Sequence, residues 1–331
     1  MLAVREEANL AGNPDTDLQQ QLEALIAQQM ADWPLLRDNH RSRALGRKKT
    51  VALGPFPIDV HCNPGRIHST TAKADAASIQ QRTCKLCPQQ WFAGQRGLAC
   101  GYRLMILCNP FPVLERHLTI VDRVHVPQAL EGRVESLLSL AKDLSDEFVV
   151  FYNGPHCGAS TPEHFHLQAV PRAGVPLLTH MAMIQQVPAL KVHKRQIAVD
   201  QRVELFVLND YYARLLIFRG SDGAALQRCL LQMLQQFAAL LGTRQEPPVN
   251  LLVTFDHPNW SIYCFPRAKH RPQCYFDGTF TVSPASLDIA GCLVVPVPEQ
   301  FDQATGEQVL QVFSETTVGQ ELFEQLLRTL A

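Results

Sequence analysis

Leu18, Leu22, Leu25, Ile26 and Met30 recur at helical spacing, so the pattern predicts an amphipathic helix over 15–33 that stops before Pro34. Between 40 and 100 the periodicity is lost and Pro, Gly, Ser and Cys accumulate. That stretch is read as an irregular wrap around the core. Apolar runs at 102–108 and 117–121 read as strands, and Leu130, Val134, Leu137, Leu138, Ala141 and Leu144 mark a helix over 128–144. Strands follow at 147–153 and 164–170. The second half repeats this order, with strands near 203–208 and 211–219. A helix from 223 to 241 carries Leu226, Leu230, Met233, Phe237 and Leu241, and Gly242 suits its end. Strands near 249–255 and 260–266 close the copy.

Both final strands run into the same dipeptide, Pro171-Arg172 and Pro266-Arg267. A strand-strand-helix-strand-strand order met twice predicts a duplicated α+β fold: two mostly antiparallel sheets with flanking helices. The expected division is an N-terminal extension over 1–60, a first unit over 61–200, and a second unit over 201–331 that ends in helical segments. Aligning the copies puts Ser261 and Tyr263 where His166 and Gln168 stand. One site per chain is therefore expected, in the first copy.

The segment from Asn153 to Gln168 carries the chemistry. If 164–170 is a strand, His164, His166 and Gln168 share one face, with roughly 6.6–7 Å between successive members. The Gly158-Ala159-Ser160 turn upstream offers backbone N–H groups and a hydroxyl for an anion. An imidazole facing such a turn is arranged to attack phosphorus, and His166 is the candidate nucleophile. Gln168 can orient a phosphate oxygen but cannot ionise, which favours transfer to an already ionised acceptor over activation of water. Ser160 can donate to a leaving or bridging oxygen, Gly158 lets backbone approach a phosphate, and Asn153 can brace the loop.

Cys84-Lys85-Leu86-Cys87 is a Cys-x-x-Cys pair without a second copy in the chain, read first as a zinc site, with a redox pair or coincidence as the other readings. Zinc would therefore need distant ligands, with His117 and His164 the leading candidates and His61 and His68 behind them. A closed four-ligand shell activates no water and acts structurally, contributing on the order of 10 kcal/mol to folding. Arg267, Lys269, His270 and Arg271 put four basic side chains within five residues, enough to hold a phosphate or sugar phosphate acceptor. Arg66, Lys73 and Arg82 can add positive charge.

Bulk properties narrow the partners. The 331 residues carry a formal net charge of −1 with no run of like charges, which argues against nucleic acid and anionic membrane as partners. No apolar run approaches a membrane span, and the first residues lack a signal-peptide pattern. The ten scattered cysteines read as thiols and a metal site rather than a disulfide framework, so a cytoplasmic location is expected. A homodimer is compatible with the sequence.

His164-Phe165-His166-Leu167-Gln168, with Asn153 and Gly158-Ala159-Ser160 before it, resembles the histidine-triad superfamily. It is most similar to the transferase branch of diadenosine tetraphosphate phosphorylases, galactose-1-phosphate uridylyltransferases and GDP-sugar phosphorylases. The Asn109-Pro110…His117 strand pair, Asn63-Pro64…Arg66 and the run from Pro266 to Pro272 extend the resemblance over roughly 55–295. It implies a duplicated histidine-triad fold and a covalent nucleotidyl intermediate on His166. The donor would be a nucleoside polyphosphate or nucleotide sugar, and the acceptor phosphate or a sugar phosphate. It also implies a structural Zn2+ held by Cys84, Cys87, His117 and His164. Hydrolases of the superfamily have a third histidine where Gln168 stands; a nucleotide hydrolase and a non-catalytic zinc-stabilised nucleotide-binding module are the alternatives.

Overall fold

In the computed structural model the described residues are 17–72, 76–145, 147–186, 194–200, 202–208 and 211–330. The first residues, read above for a signal peptide, and Lys73 lie outside them. Among the described residues thirteen strands occur: β1 Lys48–Leu53, β2 Phe56–Cys62, β3 Gly97–Cys100, β4 Leu104–Cys108, β5 Leu118–Asp122, β6 Phe148–Asn153, β7 His166–Pro171, β8 Lys194–Asp200, β9 Val203–Leu208, β10 Leu215–Gly220, β11 Val249–Asp256, β12 Asn259–Pro266 and β13 Cys292–Val295. Ten of them form one sheet in the order β3-β4-β5-β7-β6-β11-β12-β10-β9-β8, antiparallel throughout.

The order reads the same from both edges once the copies are equated. In each half the last strand of the repeat lies between the two strands before it, and β6 meets β11 at the centre. The duplication is therefore plain, and the two half-sheets are continuous rather than stacked. Pairing agrees with the sequence alignment: Gln168 stands opposite Phe151, and Tyr263 opposite Leu252, its counterpart on β11. Tyr263 packs in the core of its half.

Strand alternation divides the side chains between two cores. Phe165, Leu167 and Ala169 join the helices Leu18–Asp32, Val134–Asp143, Gly223–Leu240 and Gln320–Leu330 on one face. Val149, Phe151 and Val170 face the other way, toward β1, β2, β13 and the helices Pro176–Gln186 and Gly306–Thr316. Asp222 caps Gly223–Leu240 by accepting from the Ala225 N–H, and Gly242, at φ +65°, closes it.

Two sequence expectations need correction. The 40–100 stretch is not purely irregular: β1 and β2 form a hairpin around a turn at Gly54, and β13 adds to it in parallel. Ile58, Val60 and Cys62 alternate on its buried face, a period-two signal masked by the flanking Pro and Gly. The seventh strand begins at His166, not His164, because the His164 N–H turns back to the Thr161 carbonyl at 3.2 Å. Of the three polar residues expected on one face, His166 and Gln168 share it and His164 precedes the strand.

Glu246 ties the halves together beside the seam, accepting from the Leu130 N–H and the Tyr152 hydroxyl, each at 2.6 Å. Burial pushes its carboxyl up from 4.5 to about 6. A raised carboxyl favours the fold when protonated, so this contribution is complete below pH 4.5 and lost as pH rises through about 6. Between pH 4.5 and 7.5 the wild type should therefore lose about 2 kcal/mol relative to Glu246→Gln. Urea unfolding of both proteins at the two pH values measures this; parallel curves would refute it.

Candidate functional site: an imidazole, an anion loop and a sulfur–nitrogen cluster

His166 is 5% exposed and sits opposite Val121 on β5. Its backbone is clamped by Gln128: the His166 N–H donates to Gln128 Oε1 at 2.8 Å, and Gln128 Nε2 donates to the carbonyls of His166 and Asn153. The ring Nδ1 lies 2.8 Å from the His164 carbonyl. Only a protonated Nδ1 can make that bond, so the lone pair of the neutral ring is on Nε2. Burial, the largest influence, lowers the ring to about 4.

Gln168 is oriented by a second relay. The Val113 N–H donates to His117 Nδ1 at 3.1 Å, which requires the proton on His117 Nε2. That nitrogen donates to Gln168 Oε1 at 2.9 Å, leaving the amide N–H2 as the end that can face a ligand. Burial holds His117 down at about 3, so the relay keeps its direction at neutral pH.

Gly158 adopts φ +118°, and a Cβ there would come within 2.5 Å of Ala285 Cβ. No other residue closes the Gly158–Ser160 loop this tightly. Asn153 fixes the loop from behind: its Oδ1 accepts from Asn250 Nδ2, the Ser286 N–H and the Ser286 hydroxyl. Asn250 Nδ2 also donates to the Cys157 carbonyl at 2.8 Å. Arg82 holds the far side, paired through two nitrogens with Glu163 at 2.9 and 2.7 Å and donating to the Ser160 carbonyl at 2.9 Å.

His166, Gln168, Asn153, Gly158, Ala159 and Ser160 all line one cavity of about 750 Å³. That volume is within the range of small-molecule sites. Arg66 and Arg271 also line it. Arg271 is steadied by the Thr70 and Ala72 carbonyls and the Ser283 hydroxyl.

Arg267 and Lys269 do not belong to this wall. Arg267 is fully buried and donates to Asn250 Oδ1 and to the carbonyls of Thr316, Pro284, Lys269 and His270. A guanidinium with five such acceptors organises the surrounding backbone and has no face left for a phosphate. Lys269 forms an ion pair with Glu315 at 2.8 Å on the surface.

The Cys-x-x-Cys pair meets two histidines, but one differs from expectation. Cys84, Cys87, His125 and His164 place one sulfur or nitrogen each within 4.8 Å of one another. Cys84 Sγ lies 3.4 Å and Cys87 Sγ 3.5 Å from His164 Nδ1, and Cys87 Sγ lies 3.1 Å from His125 Nδ1. His117 is committed to Val113 and Gln168 and stands outside the cluster. Its position before β5, against that of His125 after it, decides the matter. Since β5 runs antiparallel to β7, the end holding His164 lies beside His125.

This donor set could hold a metal ion. A tetrahedral zinc with ordinary Zn–S and Zn–N lengths separates its ligand atoms by about 3.4–3.8 Å, close to the spacings found. His164 Nε2 donates to the Asp122 carbonyl at 2.7 Å, which turns the lone pair of Nδ1 toward the sulfurs. The Asp122 carboxylate, itself held by Arg103 and Arg133, accepts from the Val124 N–H and fixes the turn that carries His125.

The site thus sets one oriented imidazole beside the Gly158–Ser160 loop on a doubled antiparallel sheet. Residues 25–171 match a domain of unknown function, DUF4922, and residues 184–330 match the GDPGP1-like, C-terminal domain. Crystal structures of yeast Ap4A phosphorylase Apa2 share the fold. The complex with AMP is 19% identical, covering 92% of this chain and 99% of that chain with a TM-score of 0.57. The complex with Ap4A is 16% identical, covering 92% and 98%, also with a TM-score of 0.57. No curated protein matches the chain in sequence. At these identities the likeness to the yeast phosphorylase is one of fold.

Where the wild type takes up one equivalent of added zinc, His125→Ala is expected to lose that uptake and His117→Ala to keep it. Elemental analysis of both variants decides between the two histidines, and metal loss in His117→Ala alone would restore the sequence assignment.

Proposed function

We propose that this protein is a nucleotidyltransferase of the phosphorylase type that works by double displacement through His166. One observation carries the reading: the bond from Nδ1–H to the His164 carbonyl, 2.8 Å, leaves the Nε2 lone pair as the reactive end of a ring lining the cavity. The donor is a dinucleoside polyphosphate or a nucleotide sugar, in keeping with the Ap4A and AMP complexes of the yeast relative.

Nε2 attacks the α-phosphorus and the bond from phosphorus to the leaving oxygen breaks, with the electron pair going to that oxygen. The imidazolium that forms keeps its Nδ1–H on the His164 carbonyl, which stabilises the positive charge. The Gln168 amide and the N–H groups of the Gly158–Ser160 loop donate to the phosphoryl oxygens as their charge grows. Ser160 donates to the leaving oxygen. A phosphate or sugar phosphate oxygen near Arg271 then attacks phosphorus, the N–P bond breaks, and the lone pair returns to Nε2. An acceptor that is already ionised needs no base, and neither Gln168 nor the neutral His117 beside it would supply one.

Zinc is the ion that two thiolates and two imidazoles suit best, and Cys84, Cys87, His125 and His164 would hold it. It would fix the segment that contributes Arg82 to the loop and hold the residue whose carbonyl orients His166. The first unit, over 61–200, would carry the chemistry, with 201–331 as its support.

Mixing the protein with Ap4A or a GDP-sugar should give a mass increase of one nucleotide on His166, absent in His166→Ala. Added phosphate should discharge it and yield a nucleoside diphosphate. An enzyme that turns over with no adduct, or releases mononucleotide at the same rate without phosphate, would contradict the transferase reading.

A further inference from the structure

Beyond its polar groups, the cavity has an aromatic wall that the reaction above does not use. Trp33, Leu35, Leu86 and Phe92 line the same chamber as His166. Trp33 and Phe92 are parallel to within 3°, with ring centroids 5.9 Å apart. Trp33 is 7% exposed, whereas Phe92 is 42% exposed. A phenyl ring this open, backed on one face by a buried indole, presents its outer face as apolar surface without a partner among the described residues.

The ring is also held in place. A Cβ at Gly94 would come within 3.0 Å of Phe92 Cε1, so the chain passes close against the ring edge. Gln29, buried in the helix Leu18–Asp32, donates to the Gly94 carbonyl at 2.9 Å and accepts from the Arg96 N–H at 3.1 Å. On the other side, Trp91 Nε1 donates to the Leu86 carbonyl, and both side chains pack on Met105, Leu107 and Val121 of the sheet. Phe92 thus follows Cys87 by five residues on a segment anchored at both ends.

We propose that Phe92, backed by Trp33, is the stacking platform for the nucleobase of the donor. This rests on the nucleotidyltransferase reading and extends it by assigning a base subsite. A planar base offers a π-face to the phenyl ring whatever its hydrogen-bonding edge, and its phosphate reaches the polar wall of the same chamber. The sulfur–nitrogen cluster then has a second consequence, since the segment it holds supplies both the strap at Arg82 and the platform at Phe92.

Calorimetric titration with AMP, GMP, UMP and ribose 5-phosphate tests this in the intact protein. For the mononucleotide that the wild type binds best, Phe92→Ala should weaken affinity about tenfold, the usual scale for loss of one base-stacking contact. Affinity for ribose 5-phosphate should stay unchanged, and Phe92→Tyr, which keeps the ring, should match the wild type. Equal losses for nucleotide and sugar phosphate, unchanged nucleotide affinity, or a tyrosine variant as weak as the alanine would each overturn the platform. Adduct formation by the wild type separates the two ideas. If the adduct forms while Phe92→Ala keeps its affinity, only the platform falls; if the wild type neither binds nucleotide nor forms adduct, both fall.

Discussion

His164 serves two structures at once, and the site depends on that double use. Its ring points Nδ1 at Cys84 and Cys87, while its backbone carbonyl accepts from His166 Nδ1. A single residue therefore links the sulfur–nitrogen cluster to the tautomer of the His166 ring. Such a link works only on a rigid base, which the Gln128 clamp and the antiparallel pairing with β5 and β6 provide.

Neutrality follows from the same packing. In water an imidazole is partly protonated near pH 6.5, but burial disfavours the charged form of both His166 and His117. Each neutral ring then has one donor and one acceptor, and the backbone decides which nitrogen is which. For His117 the outcome is a fixed Gln168 amide; for His166 it is an available Nε2. Two rings of the same chemistry acquire different tasks because one meets an N–H and the other a carbonyl.

Much of this was legible in the sequence because it rests on periodicity. The duplicated order, the helices around Leu137 and Leu230, and the pairing of His166 with Gln168 all follow from apolar spacing of 3.6 or 2. What failed depended on partners far along the chain. Arg267 reads like Arg271 in sequence, yet one is enclosed by five acceptors, three of them from other segments, and the other reaches the cavity. His117 and His125 flank the same five-residue strand and look equivalent. The antiparallel run of β5 against β7 was the signal that separates them, and it needed only to be applied to the expected topology. The β1–β2 hairpin was hidden by its compositional setting, although the alternation of Ile58, Val60 and Cys62 was there to be counted.

The seam between β6 and β11 bears on what the second copy is for. Asn250 belongs to that copy, yet its amide grips Asn153 and the Cys157 carbonyl beneath the loop of the first. Asn250 in turn accepts from Arg267, which is anchored on the C-terminal helices through Thr316. The second copy is thus a mould for the loop of the first. A cut between the repeats would discard half of what shapes that loop.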